Sequence, residues 1–123
     1  VRPERIRSMI DELDGDEVGG LLALPVVDTL KRADGAQRVR ETVDRAALWL
    51  AQTPQVFRFA VLERALREAR ASGVTITDEA MAVERLGLAP RLLRGSADNI
   101  KVTVADDMEL ANYYLSRRRG KPA

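Results

Sequence analysis

Val18-Gly19-Gly20-Leu21-Leu22-Ala23-Leu24-Pro25-Val26-Val27 is the stretch on which the fold turns. Leu21 to Leu24 is apolar without a break. A strand with one wet face alternates apolar and polar residues, so an unbroken run predicts a strand covered on both faces, as in a parallel sheet. The chain before it supplies one cover. Pro3-Glu4 suits the first turn of a helix, where proline loses no hydrogen bond and an acid complements the dipole. Ile6, Met9, Ile10 and Leu13 then recur at helical spacing, and Asp14-Gly15-Asp16 ends that element.

After the strand the character changes. From Val27 to Arg45 apolar residues thin out among Lys31, Arg32, Arg38, Arg40 and Glu41, with a turn signal at Ala33-Asp34-Gly35-Ala36. This predicts a β-hairpin arm over residues 27–46. A hairpin so poor in apolar surface is marginal alone, and the simplest partner is a second copy of the chain. Leu48 to Thr53 reads as a short strand returning to the sheet, with Thr53-Pro54 stopping it and starting a helix. Val56, Phe59, Ala60, Leu62, Ala65, Leu66 and Ala69 share one face of that helix, which closes at Ser72-Gly73. Thr77-Asp78-Glu79-Ala80 opens another helix, with Thr77 as its N-cap and Gly87 as its stop. Arg91–Gly95 and Ile100–Thr103 are expected as short strands and Asp106–Leu115 as a last helix. Trp49 reads as a packing anchor, Phe57 and Phe59 as core, and the basic tail from Arg117 to Pro122 as a frayed, solvated end. Strands alternating with helices predict an α/β layer fold.

Composition narrows the chemistry. The 123 residues fit one small domain, and 46% hydrophobic with 32% charged residues is a globular balance. A net charge of +1 argues against a nucleic-acid coat. There is no apolar run long enough to cross a membrane and no leader pattern, so a soluble cytoplasmic protein is expected. The absence of cysteine excludes disulfides and thiolate metal sites. The absence of histidine removes the usual neutral-pH base. Lys, Arg, Asp, Glu and Thr remain. Phosphoryl and nucleotidyl transfer suit that inventory, because positioning and charge neutralisation carry most of the work.

Asp98-Asn99-Ile100-Lys101-Val102-Thr103 is the candidate site segment. An ammonium held on a short β-like segment can neutralise a phosphoryl oxygen; Lys101 also fits a solvated lysine on an edge strand. Arg45 can grip a phosphate with two parallel bonds and Thr29 can donate one, or both can be ordinary cross-strand partners. Asp78-Glu79 are expected as dipole partners of a helix start, and no metal ligand is assigned.

Five segments come in one order: Leu24-Pro25-Val26-Val27-Asp28-Thr29-Leu30-Lys31-Arg32, Thr42-Val43-Asp44-Arg45, Ala51-Gln52-Thr53-Pro54-Gln55-Val56-Phe57, Ile76-Thr77-Asp78-Glu79-Ala80 and Asn99-Ile100-Lys101-Val102-Thr103. From about Pro3 to Leu115 the chain resembles the C-terminal half of the 2-C-methyl-D-erythritol 4-phosphate cytidylyltransferases. The resemblance implies part of a Rossmann-like nucleotidyltransferase sheet and an arm that interlocks in a homodimer. It implies that Thr29, Arg45 and Thr53 reach substrate in the partner subunit, that Thr77 touches methylerythritol phosphate, and that Lys101 and Arg45 are the catalytic pair. Lys101 would place the substrate's phosphate oxygen for attack on the α-phosphorus of CTP. Magnesium (Mg2+) is implied, with ligands outside this chain. The glycine-rich loop with its Pro-Lys-Gln, and the Asp-Ala-Ala-Arg-Pro segment of such enzymes, do not occur here. The start at Val1 fits the same expectation: one half of an enzyme, whose N-terminal half lies elsewhere. A cytidylyltransferase for another polyol phosphate, such as ribitol 5-phosphate, and a non-catalytic dimerisation module are the rival readings.

Overall fold

The computed structural model describes residues 1–120. Its elements in chain order are α1 (Pro3–Glu12), β1 (Gly19–Pro25), β2 (Leu30–Ala33), β3 (Val39–Val43), β4 (Trp49–Phe57), α2 (Phe59–Ala71), α3 (Glu79–Glu84), β5 (Arg91–Arg94) and α4 (Ala105–Arg119). This is a mixed α/β architecture. β1 is the central strand of a three-stranded sheet ordered β4-β1-β5, antiparallel to β4 and parallel to β5. Both of its faces are covered, as the unbroken apolar run requires: Leu21, Leu22 and Ala23 are all buried. Leu22 packs with Met9 and Leu13 of α1 and with Leu93 of β5. A fully buried Leu or Met side chain contributes about 1.5–3 kcal/mol relative to exposure. A second cluster joins Ala65 and Ala69 of α2 to Ala82 and Val83 of α3, with Phe57 packed against it.

The entry to β1 is built from polar contacts. One oxygen of Asp16 accepts from the amides of Val18 and Gly19 at 2.9 and 2.8 Å. Those bonds, the one from Gly19 foremost, hold the Asp16 carboxyl below the usual carboxylate range. Gly19 lies opposite Phe57 in the β1–β4 ladder with φ +126°. A Cβ there would sit 2.2 Å from the carbonyl oxygen of Val56 and 2.6 Å from the Cα of Phe57. Only glycine lets the two backbones approach so closely.

Several expectations are corrected by non-local pairing. β4 does not stop at Thr53-Pro54 but runs through it to Phe57, and the helix begins only at Phe59. Gln55 pairs with Leu21 and Ala51 with Ala23, so the register shifts between them and Pro54 falls in the irregularity, where a missing N–H costs no ladder bond. Thr53-Pro54 is a cis peptide. Phe59, read as core, is 83% exposed; the packed face of α2 is carried by Val61, Leu62, Ala65 and Ala69 instead. Trp49 is also partly exposed rather than a packed anchor; it ends the ladder opposite Pro25. Ile100–Thr103 is a loop, not a strand. The outer edges of β4 and β5 stay open; side-chain bonds from Gln52 and Asn99, not a ladder, hold the turn before this loop against β4.

The arm forms as expected. β2 and β3 make their own two-stranded antiparallel sheet with a shift near the turn, and most of their residues are exposed. Asp34 closes the turn, accepting from the amides of Ala36 and Arg38. At the C-terminal end, Arg117, Arg118 and Arg119 are helical in α4 rather than frayed; Lys121 and Pro122 lie outside the described residues. The Gly19 crossing gives a direct check. Gly19→Ala is expected to cost at least ~2 kcal/mol through backbone clash and a disfavoured φ, read as a lower urea midpoint at unchanged slope.

Candidate functional site

A cleft of about 620 Å³ opens where the loop leaving the carboxyl end of β5 passes β4 and the start of α3. In open α/β sheets this end of the strands is where ligands bind. Three separate segments line it: Leu50 to Thr53 and Gln55 from β4, Thr77 to Glu79 before and in α3, and Asn99 to Lys101 from the loop. The fold therefore brings Thr53, Thr77 and Lys101 together. Thr29 and Arg45, which flank the arm strands, are exposed and do not line this cleft.

Amide side chains set the walls. Gln55 donates to Asp78 Oδ2 at 2.9 Å, and its Oε1 accepts from the Ala80 amide at 2.9 Å. Asp78 Oδ1 accepts from the Met81 amide at 2.8 Å. The N-cap of α3 is thus Asp78, not Thr77. Asp78 is the residue in extended conformation before the first turn, one residue nearer than Thr77 to the free amides. Thr77 Oγ1 faces Met81 Sδ at 3.6 Å, a weak contact that leaves its hydroxyl open to a ligand.

On the opposite wall, Gln52 Nε2 donates to the carbonyls of Ser96 and Asn99 at 2.9 and 3.2 Å. Asn99 Nδ2 returns a bond of 2.6 Å to the Thr53 carbonyl. Sequence reasoning assigned no role to Gln52, Gln55 or Asn99. Their value lies in partners 23 to 47 residues away, and no local spacing reports that. Lys101 itself makes no ion pair or side-chain hydrogen bond among the described residues, so its ammonium is available to a ligand.

The cleft's fixed charges are Lys101 against Asp78 and Glu79. Asp78 has both oxygens occupied, and no group of three acidic or other ligating side chains converges on a metal among the described residues. No dedicated cage of protein ligands for a metal ion is therefore present among the described residues.

Behind the loop sits Asp98. Its carboxylate accepts from Ser96 Oγ at 2.5 Å and pairs with Arg118 at 3.1 Å and Arg2 at 3.3 Å. The Ser96 bond first, then the two guanidiniums, lower its carboxyl to about 2. Asp98 thereby ties the site loop to the start of α1 and to α4.

Residues 1–117 match the family model of 2-C-methyl-D-erythritol 4-phosphate cytidylyltransferase. The chain belongs to this family. A relative of that name from Azoarcus sp. (strain BH72) is 54% identical over 118 residues, which cover 96% of this chain and 48% of the relative. Another from Pseudomonas putida (strain GB-1) is 53% identical over 122 residues, covering 96% and 52%. Among solved structures, the Francisella tularensis enzyme of the same name superposes with a TM-score of 0.82 at 33% identity, covering 93% of this chain and 54% of that one. A 4-diphosphocytidyl-2C-methyl-D-erythritol synthase gives 0.80 at 43% identity, covering 94% and 51%. The chain spans about half the length of the curated relatives it matches.

Asp98 yields a prediction in acid. Its folded-state pKa lies below the ordinary 3.8, so its stabilising contribution is present above about pH 4 and is lost as pH falls towards 2. Asp98→Asn is expected to be less stable than the parent at neutral pH and to lose less stability between pH 4 and pH 2, as followed by denaturant midpoints.

Proposed function

We propose that this chain is the acceptor-binding, C-terminal half of a cytidylyltransferase that moves CMP from CTP to 2-C-methyl-D-erythritol 4-phosphate. A phosphate oxygen of the acceptor bonds to the α-phosphorus of CTP. The bond from that phosphorus to the bridging oxygen breaks, and pyrophosphate leaves. The observation that carries this reading is the meeting of Thr53, Thr77 and Lys101 in one cleft from three distant segments, in a chain of this family. Lys101 neutralises and orients the attacking phosphate; the two threonines donate to the acceptor's oxygens. The nucleotide and the magnesium ion of such a transfer are held by residues outside this chain. A cytoplasmic location belongs to the same reading, since CTP is used there, and no helix among the described residues is long and apolar enough to cross a membrane.

The charge count supports a shared site. One lysine facing Asp78 and Glu79 is a poor host for a phosphate dianion, and a further cation must come from elsewhere. Arg45 at the base of the arm fits that need. Apolar residues near the arm are exposed in the single chain, among them Val27, Val39 and Leu50 at 76, 64 and 58%. A homodimer in which arms interlock covers such surface and delivers Arg45, with Thr29, to the partner's cleft.

In the intact enzyme, Lys101→Ala is expected to lower kcat by about 100-fold. Arg45→Ala is expected to raise the KM for methylerythritol phosphate by roughly 10- to 100-fold and leave that for CTP unchanged. Pyrophosphate release reads both, and equal loss of affinity for the two substrates refutes the role of Arg45. Deleting residues 31–41 is expected to convert dimers to monomers by light scattering.

A further inference from the structure

We propose that Gln52 is a positioning residue for Lys101: its side-chain amide clamps the loop that carries the lysine to the strand that carries Thr53. This builds on the functional reading above and adds a residue to it.

Lys101 has no ladder to fix it, because residues 100–103 are a loop. What anchors that loop is Asn99, two residues earlier. Its carbonyl accepts from Gln52, and its side chain donates to the carbonyl of Thr53. Gln52 also bonds the Ser96 carbonyl, where the loop leaves β5. One amide thus fixes both ends of the 96–99 turn, itself closed by the Asn99 amide on the Ser96 carbonyl at 3.0 Å.

The orientation of that amide is dictated by its partners. The reverse orientation would set Oε1 against two carbonyl oxygens. The chosen one leaves Oε1 buried with no hydrogen-bond partner. A buried acceptor without a partner is costly, so the two donated bonds are what retain glutamine here. Oε1 lies over Gly95, where a Cβ would come within 2.0 Å of it. Gly95 is in turn held by its amide on the Ala23 carbonyl at 2.9 Å. The clamp is therefore seated against the central strand, and any side chain at 95 would push it off the loop.

The test is a double-mutant cycle in the intact enzyme, using pyrophosphate release from CTP and methylerythritol phosphate. Gln52→Met keeps the length and removes the donor. It is expected to lower kcat by about 10- to 100-fold with little change in the KM for CTP. In a Lys101→Ala background the same substitution is expected to cost less than about twofold, because a residue acting through the lysine has nothing left to position. Hydrogen exchange over residues 96–103 should rise in Gln52→Met while α2 and α3 keep their protection. Gly95→Ala reaches the clamp from the other side and should show the same loss and the same dependence on Lys101, so a misfolded Gln52 variant does not end the test. Additive effects of Gln52→Met and Lys101→Ala, in an enzyme that turns over, overturn the proposal alone. No turnover by the unaltered enzyme overturns the functional reading and the proposal together.

Discussion

Everything in this chain depends on filling both edges of one strand. β1 is apolar on both faces and bonded on both sides, so β4 and β5 have no freedom in where they lie. That constraint builds the cleft. One wall is β4, the other is the loop that must leave β5 once its ladder with β1 ends at Ala23 and Arg94. Residues far apart in sequence become opposite walls because they flank the same strand. The Gln52 and Asn99 amides then lock a separation that the sheet has already set.

Electrostatics organises the periphery. No residue of α4 is buried among those described, and of its apolar residues only Ala111 and Tyr114 are half-buried. Its link is the Asp98 carboxylate, shared between Arg118 and Arg2. Three like-charged arginines close the helix at the dipole's negative end, where cations are favourable. Met108, Leu110, Tyr113 and Leu115 remain at least 43% exposed, a surface better suited to contact than to water.

What was legible in the sequence was what local physics decides. The apolar run gave β1, the Asp34-Gly35 turn gave the arm, and Gly73 and Gly87, both at positive φ, gave the ends of α2 and α3. Thr53, Thr77 and Lys101, named from residue types and a resemblance, lie in one cleft, and Thr29 and Arg45 lie outside it. The errors share one cause. Proline at 54 is a stop signal only if the strand has no irregularity to absorb it, and that depends on β1, some 30 residues away. Thr77 and Asp78 are both good caps, and Gln55, bonded to Asp78 and Ala80, selects between them. Residues 100–103 have strand-like composition, but the Gln52 and Asn99 side-chain bonds hold the turn before them against β4 and no ladder forms. In each case a partner distant in sequence overrode a correct local preference.

The close approach of Gln52 and Gly95 also bears on how such a chain changes over generations. The two positions compete for one volume. A smaller residue at 52 empties space but gives up the bonds donated to the Ser96 and Asn99 carbonyls. A larger residue at 95 as the first step meets an occupied site. Either first step therefore breaks the contact with the site loop, and the pair is expected to be retained or replaced together among descendants of this sequence.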